Sequence, residues 1–105
     1  MTWIHGDLHP RNILVDRRSI TGVIDWGDLA VGDCATDLAA LWCLFPNQHL
    51  RQQAIDAYEE VSAATLTRAK GWAIFFGVGL LDSGLVNHPQ HAALGQRILQ
   101  SVAQV

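Results

Sequence analysis

Two β-branched runs, Ile13-Leu14-Val15 and Ile20-Thr21-Gly22-Val23-Ile24, flank the polar stretch Asp16-Arg17-Arg18-Ser19. Branching at Cβ favours extended backbone and the polar cluster favours a turn, so the segment predicts a β-hairpin. A hairpin returns the chain to the point it left. It should therefore bring Asn12, just before the first run, close to Asp25, just after the second, although they stand thirteen positions apart in the chain. This constraint governs the reading of everything around it.

The flanks are rich in chemistry. Upstream stands His5-Gly6-Asp7-Leu8-His9-Pro10-Arg11-Asn12, and downstream Asp25-Trp26-Gly27. An amide and a carboxylate are hard oxygen donors that suit Mg²⁺, a cation that keeps several waters. Asp7 is a carboxylate able to orient a hydroxyl nucleophile or accept its proton. His-x-Asp-Leu-x-x-x-Asn followed by Asp-x-Gly is the pattern of a kinase catalytic loop and its metal-binding segment, with Trp26 in place of the usual Phe. His5 would brace the loop, and Asp33 or Asp37 could accept backbone N–H bonds at a helix start. A zinc metallohydrolase is a rival reading, with His5, Asp7 and His9 joined by one of His49, His88 or His91. It leaves Asn12 and the Asp25-Trp26-Gly27 match as coincidences.

The longer string resembles the aminoglycoside phosphotransferase family. The resemblance rests on His5-Gly6-Asp7-Leu8-His9-Pro10-x-Asn12-Ile13-Leu14-Val15, on Val23-Ile24-Asp25-Trp26-Gly27-Asp28, and on Gly32-Asp33-x-x-x-Asp37-Leu38-Ala39. It implies an ATP-dependent (or GTP-dependent) transfer of a phosphoryl group to a hydroxyl of a small molecule, an antibiotic or a metabolite. It also implies Asp7 as catalytic aspartate, Asn12 and Asp25 as Mg²⁺ ligands, and Asp37 as the structural acid behind the loop. Arg11 stands where the family commonly has Gly. It is a candidate phosphate contact, with a tolerated surface residue as the preferred reading. Cys34 replaces the usual Pro after Gly32-Asp33.

Beyond residue 34 the periodicity changes to helical. The pattern predicts helices over residues 37–45, ended by Pro46, then 48–63, 66–85 and 89–102. The second should bury Leu50, Ala54, Ala57, Tyr58 and Val61. The third is apolar nearly all round from Trp72 to Leu81, which predicts a central buried helix. Residues 27–35 read as a loop. The expected fold is α+β, a protein-kinase-like C-lobe fragment. Residues 1–34 would hold the catalytic loop, hairpin and metal-binding segment and residues 35–105 the helices, as one domain.

Composition narrows the partners. With 7 basic and 10 acidic residues the formal charge is −3 and no basic run exists, which argues against nucleic acid or an anionic membrane surface. Six of the ten acids lie in the first 37 residues, a bias that favours a cationic acceptor such as an aminosugar only weakly. Cys34 and Cys43 fit neither a disulfide framework nor a zinc site. The Trp72–Leu81 stretch reads as too short to span a bilayer and no signal peptide is visible, so a cytoplasmic protein without a membrane partner is expected.

Several kinase parts are missing from the pattern. The sole lysine, Lys70, falls in a helix rather than a strand, and Gly77-Val78-Gly79 sits inside an apolar helix, where close packing explains it better than a phosphate loop. No β-rich N-lobe precedes His5. The chain alone is thus expected not to turn over nucleotide, and surface left by the missing lobe should drive homo-oligomerisation. A truncated C-lobe serving as a self-associating interaction module is the alternative function.

Overall fold

The computed structural model describes residues 1–58 and 60–104. The hairpin forms as its sequence dictates. Strand β2 (Ile13–Asp16) pairs antiparallel with β3 (Ser19–Val23), Ile13 facing Val23 and Asp16 facing Ser19. Arg17 and Arg18 make the turn, both at positive φ (49° and 67°). A two-residue loop with both centres left-handed has the twist that matches paired strands. Ahead of β2 a 3₁₀ turn covers Pro10–Asn12, where the fixed φ of proline suits a first helical position.

A second antiparallel pair lies outside the hairpin. Strand β1 (Thr2–Ile4) pairs with β4 (Ala30–Gly32), Thr2 facing Gly32 and Ile4 facing Ala30. The expected loop over residues 27–35 thus contains a strand. Its signal is short: Ala30-Val31 between polar and glycine residues is too brief to show a period, and only pairing with β1 makes it extended. The consequence is large, because β4 carries Asp33 and the following helix back to the His5 loop.

The first expected helix is split into α1 (Ala35–Leu38) and α2 (Leu41–Leu44). Between them Ala40, Trp42 and Cys43 donate to carbonyls three residues back, at 3.0–3.3 Å, which tightens the backbone at the joint. Helix α3 runs over Gln48–Ala57, shorter than expected, with Asn47 Oδ1 capping the N–H groups of His49 and Leu50. The part of that expectation that falls on Glu59 lies outside the described residues. Its predicted apolar face is also corrected: Leu50 and Tyr58 are about half exposed while Arg51 is buried. Arg51 donates to Phe45 O at 3.0 Å and Ser101 Oγ at 2.8 Å, and lies over the Trp42 ring. Those partners make its burial tolerable, although the low-polarity surroundings pull its pKa down.

Helix α4 (Ala63–Asn87) and helix α5 (Pro89–Ala103) form an antiparallel pair that supplies much of the core. The buried residues of α4 are Ala69, Ala73, Gly77 and Gly84, all small. A Cβ on Gly95 would lie 2.5 Å from Gly77 O, and one on Gly77 would lie 3.0 Å from Leu99, so the two helices meet where neither could bear a larger residue. This overturns the expectation of a helix buried all round. The small residues form the closest contact and several large ones point away, Phe75 being 66% exposed, Val78 52% and Leu85 74%, while Phe76 and Leu80 pack partly buried against the core. At 25 residues α4 is also longer than the apolar stretch that marked it. By length and composition alone it could cross a membrane, so the expectation that the stretch is too short does not hold for the helix.

Candidate active site

The His5–Asn12 loop is closed from three directions. From behind, both oxygens of Asp37 accept backbone N–H groups, His5 N to Oδ2 at 2.7 Å and Gly6 N to Oδ1 at 2.9 Å. Gly6 has φ +90°, and a Cβ there would stand 2.7 Å from Asp28 O, so the close turn requires glycine. From the side, the His5 ring joins loop to hairpin end. Its Nδ1 accepts the Asp7 N–H at 3.1 Å and its Nε2 meets Ile24 O at 2.8 Å. The first contact places the ring proton on Nε2, where it donates to Ile24. The Trp26 ring packs against the imidazole, centroids 4.5 Å apart.

The third closure is Asn12, which is buried. Its Nδ2 donates to Asp7 O at 2.8 Å and reaches Asp7 Oδ2 at 3.3 Å. These contacts use the amide nitrogen, so the amide oxygen is not consumed by them. Asn12 O accepts Ile24 N–H at 2.8 Å, which fixes the start of the Asp25 segment beside the loop. The hairpin thus does bring the Asn12 and Asp25 backbones together. Asp25 is exposed with φ +61°, a conformation that costs a non-glycine residue about 1–3 kcal/mol and persists where its surroundings impose it. The Asp7 side chain is 44% exposed and so within reach of a ligand.

Two side chains play parts that the sequence did not assign. His9 Nδ1 accepts Arg11 N–H at 3.2 Å and its Nε2 lies 3.6 Å from Asp7 Oδ1. Burial pulls the His9 pKa below its ordinary value, against the opposing pull of Asp7. Arg68, on α4, grips Asp33 with Nε at 2.7 Å and Nη2 at 3.2 Å. That contact depresses the Asp33 pKa, and Asp33 Oδ1 also accepts Ala35 N–H at 3.1 Å. Asp33 therefore sits at the start of α1 as expected, while Asp37 holds the loop. No sequence spacing could have linked Arg68 to Asp33, which are 35 residues apart. Arg11 is exposed, and its side chain makes none of the bonds that close the loop. It is compatible with either role raised for it.

Beside Asp7 opens a cleft of about 240 Å³ between the loop, α2, α4 and α5. Leu8, Phe75, Phe76, Leu80 and Ile98 supply much of its wall, with Asp7 and His9 at one side.

Zinc fits these residues poorly. Both His5 nitrogens are spent on Asp7 N and Ile24 O, and among the described residues no group of three His, Cys, Asp or Glu side chains is placed to hold a metal. The donor chemistry of Asn12 and Asp25, one amide oxygen and one carboxylate, fits a hard divalent ion that retains water ligands.

A loop carrying a reachable aspartate, buttressed by an asparagine and followed across a hairpin by Asp-x-Gly, matches the arrangement expected of a phosphotransferase. The chain belongs to the phosphotransferase enzyme family, whose family model matches residues 1–72. Membership implies nucleotide and metal use in general. Among curated relatives, "Uncharacterized protein YcbJ" of Bacillus subtilis (strain 168) is 44% identical over 43 residues. Those residues are 40% of this chain and 14% of that protein, so the match spans about a seventh of the relative's length. No solved structure matches the chain significantly.

Proposed function

We propose that this chain carries the acceptor-activating and metal-binding elements of an ATP- or GTP-dependent phosphotransferase acting on a hydroxyl of a small molecule. Asp7 orients the hydroxyl and takes its proton. The Asn12 amide oxygen and the Asp25 carboxylate are the proposed Mg²⁺ ligands; when bound, the ion would neutralise phosphate charge that builds up in transfer. His5, Asp33 and Asp37 hold the loop in place. The observation that carries this reading is the bonded unit itself: Asp37 clasps the loop backbone, and Asn12 ties Asp7 to the strand that leads to Asp25.

Lys70, the sole lysine, lies in α4, and Gly77 is taken up by contact with α5, so these residues offer no phosphate cradle. The isolated chain is expected to bind the metal ion yet show no measurable nucleotide turnover. Manganese can test the first half, because its unpaired electrons broaden the NMR signals of nearby nuclei. Addition of Mn²⁺ to ¹⁵N-labelled protein should broaden the amides around Asn12 and Asp25 first, and Asp25→Asn should abolish the selectivity. Uniform or absent broadening at millimolar Mn²⁺ would refute the metal assignment. Detectable Mg²⁺-dependent phosphorylation of a small alcohol by the isolated chain would refute the second half.

A self-associating module is the second reading, and the exposed apolar face of α4 favours it. The two are compatible, since Val78 and Leu85 on that face do not line the cleft beside Asp7. A cytoplasmic location remains part of the proposal, and two cysteines placed apart as free thiols are compatible with it.

A further inference from the structure

We infer that the cleft beside Asp7 selects an acceptor with an uncharged, apolar body and one hydroxyl, and disfavours polycationic aminosugars. The inference rests on the phosphotransferase reading and adds the substrate class. The cleft wall is built mainly by hydrocarbon, with Leu8, Phe76, Leu80, Ile98, Ala39 and Ala73 in its lining. Four lining residues bring polar side-chain atoms, namely Asp7, His9, Cys43 and Ser83. Asp7 is the single carboxylate in the lining, and one carboxylate cannot pair the two or more ammonium groups of an aminosugar. An ammonium taken into such a wall without a partner loses its hydration and gains little in return. The other polar residues do not change this balance. His9 and Ser83 have no anionic form near pH 7, and burial raises the Cys43 thiol to about 11, so none of the three adds negative charge there.

The acids that gave the sequence its cationic preference lie elsewhere. Asp33 is bound by Arg68, Asp37 by the loop backbone, and Asp16 caps the far end of the hairpin. None of the three lines the cleft. A volume of about 240 Å³ takes a body of roughly eight non-hydrogen atoms, judged against about 30 Å³ for a water in the liquid. The hydroxyl of such a body would be held at Asp7, where the proton must leave.

The test is binding to the full 105-residue chain, read from ¹⁵N-amide shifts of Gly79, Ser83 and Cys43. The probe is 3-phenylpropanol; size-matched 2-deoxystreptamine is the dicationic control and 3-phenylpropyl methyl ether the control without a hydroxyl proton. We expect saturable shifts with the alcohol, about tenfold weaker binding for the ether because a bond to a carboxylate is lost, and weaker binding still for the diamine. Gly79→Leu should abolish binding, since a Cβ there meets no atom within 4 Å and the side chain can enter the cleft without disturbing the helix. Gly71→Leu, equally unhindered on the same helix but outside this cleft, should leave it intact. Equal or tighter binding of the diamine, or of the ether, would overturn the proposal, as would retention of alcohol binding in Gly79→Leu. Mn²⁺ broadening on the same sample separates the two readings. If it fails at Asn12 and Asp25 while the alcohol still binds, the phosphotransfer reading falls and with it the role of the alcohol as acceptor.

Discussion

Replacing Asp37 tests whether the loop is held by its carboxylate or by the strands around it. Both oxygens of Asp37 are engaged, by His5 N at 2.7 Å and Gly6 N at 2.9 Å, and the site is only part-buried. A hydrogen bond to a charged group contributes about 1.5–3 kcal/mol when desolvated, and partial exposure argues for the lower end of that range at each bond. Asp37→Ala leaves two backbone donors for water to satisfy in part, so about 2–3 kcal/mol of folding stability should be lost. For a domain of this size that corresponds to a fall in Tm of roughly 10–20 °C. Asp37→Asn sharpens the argument. Its one oxygen can accept from only one of the two N–H groups, and its amide nitrogen would face the other, donor to donor. The asparagine variant should therefore recover little of what alanine loses. Urea unfolding followed by tryptophan fluorescence gives the stabilities, and the His5 and Gly6 amide shifts report the loop directly. A loss below about 0.5 kcal/mol in Asp37→Ala, with native shifts at both amides, would refute the clasp and leave the β1–β4 pairing as the element that positions the loop.

Acidification should release a second contact. The folded-state pKa of Asp33 is lowered by Arg68, so its contribution is fully present above 3.8, the ordinary aspartate value, and is lost as pH falls through the lower folded-state value. Asp33→Asn should flatten the fall in stability below pH 3.8, measured by thermal melts across that range; an unchanged slope would count against it. Cys43, with its thiol raised to about 11 by burial, should react with iodoacetamide at pH 8 roughly a hundred times more slowly than an ordinary thiol, as mass spectrometry of the labelled peptides would show. Comparable rates for Cys43 and a free cysteine would mean that the cleft is open at its base. Val78→Glu, on the exposed face of α4, should shift the chain toward monomer in light scattering at tens of micromolar, with helix content unchanged. If the unmodified chain is already monomeric there, that face has no self-association to lose.

The site was legible in the sequence where chemistry and local structure coincide. The hairpin was readable because β-branched runs on both sides of a polar turn leave few other conformations, and it placed the Asn12 and Asp25 backbones side by side. Asp33 and Asp37 were both readable as acids at a helix start, and family resemblance singled out Asp37 as the one behind the loop. What escaped was set by tertiary contact. Strand β4 has three residues, too few for a period, and exists because β1 offers it a partner. Arg51 looks like a surface residue by type, yet Ser101 and the Phe45 carbonyl accept its protons inside. In α4 hydrophobicity misled outright. The largest apolar side chains were expected in the core, but helix–helix approach is governed by the smallest residues, and Ala69, Ala73 and Gly77 took the buried stripe.

The same distinction decides how the acidic bias of the N-terminal third should be understood. A count of carboxylates suggested a cationic ligand, but position assigns most of them other work. Asp37 and Asp33 hold backbone and Arg68, Asp16 pairs with Ser19 at the hairpin turn, and Asp25, exposed beside Asn12, is the carboxylate proposed for the metal ion. Only Asp7 turns toward the cleft, reachable and tethered by Asn12. Charge that is already committed to the fold cannot also recognise a ligand without breaking the contacts that place it. On the proposed reading an acceptor is selected by the cleft wall around Asp7, which the loop, α2, α4 and α5 share. Substitutions at Gly79 and Ser83 should alter which alcohol binds, whereas substitutions at Asp33 and Asp37 should alter whether the loop forms at all.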